Sequence, residues 1–140
     1  MKHILEQKVY FADTDKYAVV WHGTYLRWME MGRVEFCEMT GKTINDLDKD
    51  DILVPVTNIN IKFKSSAKLE DIILIETEIA KFNGFCVTFH QTIKSKKTGQ
   101  IYTDALVDVV AVNHEGKLYR KMPSVLADLF NEALKCPQPV

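Results

Sequence analysis

The chain is short of cysteine, proline, glycine and net charge, and each shortage removes a class of protein. Three cysteines, Cys37, Cys86 and Cys136, are an odd number with no C-x-x-C spacing, which speaks against a disulfide framework and against a zinc site. Four prolines and six glycines in 140 residues are too few for collagen-like or low-complexity architecture. Eighteen Lys and Arg against nineteen Asp and Glu leave a formal net charge of -1, so no charge excess draws the molecule to nucleic acid or to an anionic membrane. No apolar run is long enough to span a bilayer, and Lys2, Glu6 and Lys8 interrupt the first residues before a leader-like stretch can form. The reading expects a cytoplasmic protein with no nucleic-acid and no membrane partner.

What remains is an ordinary globular composition, 46% hydrophobic and 26% charged. A chain of this length buries roughly 68–70% of its unfolded surface, enough for a core without staples. No repeat and no domain boundary interrupts it, so a single domain over 1–140 is expected, with residues 136–140 as a frayed tail.

From Trp21, the residues Tyr25, Trp28, Met29, Gly32, Phe36 and Met39 recur at helical spacing and Gly41 follows as a stop, predicting one long helix over 22–40. Leu26, Met31, Val34 and Cys37 add apolar groups off that stripe, so this helix should be wrapped rather than docked on one face. A first strand is expected over 4–12. After a short polar stretch, Thr57, Ile59, Ile61 and Phe63 alternate with polar residues as in a strand with one wet face. Segments 72–82 and 85–95 flank Asn83-Gly84, a dipeptide suited to a type I′ hairpin turn. Residues 101–112 are apolar on both faces and are expected as a central strand. A last helix begins near Pro123-Ser124, with Leu126, Leu129, Phe130, Ala133 and Leu134 on one face, and stops before Pro137. The order is α+β, a curved antiparallel sheet wrapped around one long helix.

The stretch Asp13-Thr14-Asp15-Lys16-Tyr17-Ala18-Val19-Val20-Trp21-His22-Gly23-Thr24-Tyr25 places two carboxylates and a histidine around a short apolar loop ahead of the long helix. A helix start presents unpartnered amides and positive partial charge, which stabilise an anion in front of it. A carboxylate folded back opposite that start could attack a carbonyl or activate water. Spacing alone favours a purely structural reading, in which Thr24 caps the helix, Asp13 or Asp15 closes an Asx turn and His22 is a hydrogen-bonded interior residue.

Taken together, Asp13-Thr14-Asp15, His22, Tyr25, Glu30 and Arg33 resemble the signature of the 4-hydroxybenzoyl-CoA thioesterase family of hotdog-fold proteins. Residues 9–36 look especially like its bacterial acyl-CoA thioester hydrolase branch, and the resemblance extends more weakly to about Pro123. It implies a hotdog fold and hydrolysis of an acyl-CoA thioester. Asp15 matches the catalytic carboxylate, as nucleophile or general base, and His22 the helix-start residue beside the oxyanion. It assigns Asp13 no such role. Two positions depart from the family pattern, Ala18 and Glu70, each where relatives usually carry Gly.

No metal or other cofactor is implied, since thiolate is already a good leaving group. His90 and His114 have no second ligand at metal spacing. Glu30 and Arg33, three apart, are read as an ion pair. Trp21 and Trp28 are read as core, Trp21 also as a candidate wall of an acyl pocket. CoA phosphates need basic partners, and two clusters offer them: Lys62, Lys64 and Lys68, and Lys117, Arg120 and Lys121. The substrate contacts expected are Trp21, Tyr25, Arg120 and Lys121. A homodimer or homotetramer is expected, because a small sheet on one helix leaves edges uncovered. The competing readings are a non-catalytic acyl-CoA or acyl-carrier-protein binding module on the same fold, and an interaction domain in which Asp15 merely caps the helix.

Overall fold

The computed structural model describes residues 1–135; the expected tail over 136–140, with Cys136, lies outside the described residues. Strand β1 (Lys2–Lys8) leads through a 3-10 turn at Phe11–Asp13 to helix α1 (His22–Cys37) and a second 3-10 turn, Glu38–Thr40. Helix α2 (Ile44–Lys49) precedes strands β2 (Val56–Phe63), β3 (Ile72–Phe82), β4 (Cys86–Ser95) and β5 (Ile101–Val110), and helix α3 (Ser124–Lys135) closes the described chain. The five strands form one antiparallel sheet in the order β1-β3-β4-β5-β2.

Alternation explains the packing. Inward positions Ile73, Ile75, Thr77 and Ile79 of β3 and Val87, Phe89, Gln91 and Ile93 of β4 are buried, and α1 lies across them, mainly against β3. Gly32 makes that approach possible, since a Cβ there would sit 2.5 Å from the Thr77 hydroxyl. Trp28, Met29 and Phe36 are fully buried on this face, and truncating Trp28 or Phe36 to Ala costs about 3–5 kcal/mol by cavity formation. At the other end Phe130 of α3 meets Phe82 and Phe89 edge-on, with centroids 5.5 and 5.9 Å apart.

Several expectations need correction. The first strand ends at Lys8, because the Asp13 carboxylate accepts the Tyr10 amide and draws the chain into the 3-10 turn. The polar stretch after Gly41 contains α2, started by a capping box in which Thr43 Oγ1 accepts the Asp46 amide and Asp46 returns the bond. Gly84 has φ +102° but Asn83 is not left-handed, so the hairpin is not type I′. Asn83 Oδ1 instead accepts the amides of Phe85 and Cys86. Strand β5 is interior, but β4 is the middle strand. Strand β2 has no dry face: all its residues but Ile61 are exposed, since it is an edge that no helix covers. Within one chain the sheet covers one side of α1, leaving Leu26, Arg27 and Glu30 exposed. Leu134 is exposed, and Trp21 is 51% exposed rather than core. Arg33 is not bound to Glu30 but donates from Nη1 to Gln91 Oε1 at 2.9 Å.

Candidate active site

The loop before α1 is a small ladder. Thr14 pairs with Val20, the Asp15 amide donates to Val19 and the Trp21 amide donates to Asp13. Asp13 is the structural member: it is buried, its carboxylate takes the Tyr10 amide and an Arg27 guanidinium N–H, and its carbonyl accepts from Thr24 Oγ1. Asp15 is partly exposed, with Oδ1 accepting the Tyr17 amide at 2.8 Å in an Asx turn. That bond takes one oxygen and leaves Oδ2 with no described partner. The turn closes through Ala18, whose φ is +64°. Ala18 and, at φ +73°, Glu70 thus both hold the left-handed conformation that favours glycine.

Helix α1 has no side-chain cap. Trp21 stands at the cap position, Thr24 turns its hydroxyl to Asp13, and among the described hydrogen bonds none takes the amides of His22 or Gly23. These two N–H groups carry the positive end of a 16-residue helix. The Trp21 indole lies over Gly23, where a Cβ would fall 2.2 Å from a ring carbon. His22 is exposed, with its ring 5.1 Å from Trp21 and 6.3 Å from Phe63. Tyr25 is buried, takes the Ala67 amide on its hydroxyl and lies 6.0 Å from Phe63; burial pushes its phenol up.

Trp21, His22 and Tyr25 therefore meet at the helix start beside the Phe63 end of β2. Asp15 belongs to the same loop but sits at the far end of its ladder, opposite Val19. Arg120 and Lys121 are not brought to this point. Tyr119 bonds to Ala111 and Met122 to Gly84, which puts them at the Val56 end of the sheet. Strand β2 separates the two ends by about 23 Å at 3.3 Å per residue. Within one chain the cluster nearer the helix start is Lys62, Lys64 and Lys68, with Lys68 bridged to Val19.

The largest cavity described, about 470 Å³, lies farther along α1, between that helix, the 53–56 segment and the inner face of β4 and β5. Phe89, Val109, Met122 and Phe130 make it apolar, with Glu30 and Arg33 as its charged members. Cys37 also lines it, but burial pushes that thiol up to about 12, so it is no nucleophile. Sequence reasoning missed Gln91, although a signal existed: it is a polar residue at an inward position of an otherwise apolar strand. Among the described residues no His, Cys, Asp and Glu converge as metal ligands, and no helix is long and apolar enough to cross a membrane.

A curved five-stranded antiparallel sheet carrying one long helix is the hotdog fold. Residues 17–102 match the profile of the thioesterase superfamily, and the chain belongs to that family. YneP of Bacillus subtilis (strain 168) is 31% identical over 79% of each chain. The acyl-CoA thioester hydrolase YbgC of Escherichia coli O6:H1 is 26% identical over 89% of this chain and 92% of its own. In fold, a Staphylococcus aureus protein, SAV2348, solved in complex with CoA, superposes with TM-score 0.90 at 12% identity, covering 100% of this chain and 88% of that one.

Proposed function

We propose that the chain hydrolyses an acyl-CoA thioester to the free acid and CoA, using Asp15 and the start of α1. The observation that carries this reading is the pair of unpartnered amides at His22 and Gly23 on the same loop-helix unit as a carboxylate with one free oxygen. The names of relatives such as YbgC support the substrate class. As the thioester carbonyl is attacked, negative charge builds on oxygen and the two amides, with the His22 imidazole beside them, stabilise it. In one route Asp15 bonds to the carbonyl carbon, the C–S bond breaks, CoA leaves as thiolate, and water then cleaves the mixed anhydride. In the other, Asp15 takes a proton from the water that attacks.

The site also argues for two copies. Strand β2 is an exposed edge with Val56, Ile59 and Phe63 uncovered, whereas the other edge, β1, exposes Ile4 between the charged Lys2, Glu6 and Lys8. Antiparallel pairing of β2 with that of a second copy sets the Phe63 end of one against the Val56 end of the other. Arg120 and Lys121 then lie on the same side of the dimer as the helix start of the second copy, as partners for a CoA phosphate at the far end of the pantetheine arm.

Asp15→Asn keeps the Asx acceptor and removes the charge, so turnover of acyl-CoA should fall by at least ~100-fold with little change in affinity. Asp13→Asn should instead lower stability. An Asp15→Asn protein that is folded and hydrolyses acyl-CoA at the parent rate overturns the mechanism. A single turnover in ¹⁸O-water that labels Asp15, read by mass spectrometry, identifies the anhydride route with water attacking the aspartyl carbonyl.

A further inference from the structure

The apolar cavity beside α1 holds one guanidinium that forms no ion pair among the described residues. Gln91 is fully buried, and its Nε2 donates to the Met29 carbonyl at 2.8 Å and to Thr77 Oγ1 at 2.9 Å. Both donors are spent, so Oε1 has to point at Arg33, whose Nη1 donates to it. The guanidinium is thus aimed by a neutral amide, which fixes its direction without bringing a carboxylate into contact with it. No described ion pair includes Arg33, and the Gln91 bond is its one described hydrogen bond out of five donors. Burial pushes the guanidinium down from its ordinary value, and the nearby Glu30 offsets part of this. Glu30 lines the cavity from its exposed side, where water screens it.

Apolar walls with a single aimed guanidinium suit a chain that is greasy along its length and anionic at its tip. We infer that Arg33 reads the far end of the acyl group, so that the preferred substrate is an ω-carboxyacyl thioester rather than an alkyl thioester of equal length. This rests on the thioesterase reading above and names its substrate class. Two helix starts can feed the cavity. The chain's own is reached along one stripe of α1, His22, Leu26, Glu30 and Arg33, with about 16 Å of axis between the first and last. That of a second copy, in the β2-paired dimer, faces Val56 at the cavity wall.

The test compares adipoyl- with hexanoyl-CoA and suberoyl- with octanoyl-CoA on the wild-type protein. The ω-carboxyacyl member of at least one pair should have the higher kcat/KM, by roughly 10-fold or more. Arg33→Met should lower that value by roughly 10- to 100-fold, mainly through KM, and leave the alkyl member unchanged or faster. Because this variant strips Gln91 of its donor, Arg33→Lys is the second: it keeps the charge, loses the fork and retains a smaller preference in the same direction. Equal or alkyl-favouring wild-type values, or an Arg33→Met protein that loses both substrates alike, overturn the inference. If no thioester at all is turned over, the hydrolase reading fails on its own, and calorimetric titration with free suberate against octanoate still decides. Tighter octanoate overturns the role of Arg33, and tighter suberate upholds it.

Discussion

Ala18 holds a left-handed backbone that a side chain resists, at φ +64°. An L-residue in this region costs roughly 1–2 kcal/mol, while glycine adds roughly 0.4–1 kcal/mol of unfolded-state entropy. Relief exceeds entropy, so Ala18→Gly should stabilise the fold by about 0.5–1 kcal/mol, read as a shift in the urea midpoint without a change in slope. A destabilised variant would mean that the loop had left the left-handed region. At this scale the sequence was informative about type and silent about posture. Asp13 and Asp15 look alike in a string, yet one is buried under Arg27 and the 3-10 turn while the other keeps a free oxygen. The difference comes from the ladder of Thr14 on Val20, a pairing without periodicity.

Strands β3, β4 and β5 share a charged cluster on the face turned away from α1. His90 bonds through Nδ1 to Glu78 at 2.9 Å and through Nε2 to Asp104 at 2.7 Å. With a carboxylate on each nitrogen, the protonated ring donates to both, which favours the cation. Burial lowers its pKa, but the hydrogen bonds and charges of Glu78 and Asp104 outweigh that and the value stands above the ordinary 6.5. A raised pKa contributes stability that is full below the unfolded value and fades as pH rises through the folded one. The stability gap between wild type and His90→Gln should therefore be widest near pH 5.5 and shrink towards pH 9, in paired urea titrations. A gap independent of pH would remove the cation from the account. Among elements, those with an unbroken period were legible: α1, β3, β4, β5 and α3 fall within a few residues of their expected ranges. Helix α2 was hidden because six residues, Ile44–Lys49, are too few for a period, although Thr43 with Asp46 was a readable cap. The wet inner face of β2 was not legible either, because alternation reports a side chain's parity and not whether anything lies opposite it.

The whole molecule has two sheet edges of unequal character. Charged β1 discourages pairing, whereas β2 offers unpaired backbone flanked by Val56, Ile59 and Phe63. Light scattering should give a mass of at least twice 16.1 kDa, and Ile59→Asp should return the monomer and lower turnover together, since the substrate's phosphate contacts and helix start would then part. A monomeric wild type that is fully active would rule out the shared site. The helix-start motif was readable from residues 13–25 alone. The distance between it and Arg120 was not, because separation along a sheet depends on strand order.

Gly32 sets a mechanical asymmetry in the cavity beside α1. The wall formed by α1 rests on β3 with no room for even a methyl group, and the Arg33 to Gln91 bond locks it to β4. The facing wall, Ile44 and Leu53–Val56, is tied to β5 and the segment after it by the Leu53–Val112 bridge, the Val110 amide on the Pro55 carbonyl and the start of β2 at Val56. The α1 side of the cavity therefore has no slack: any side chain added at Gly32 lifts the helix off β3, so a wider cavity has to come from substitutions on the 44–56 side.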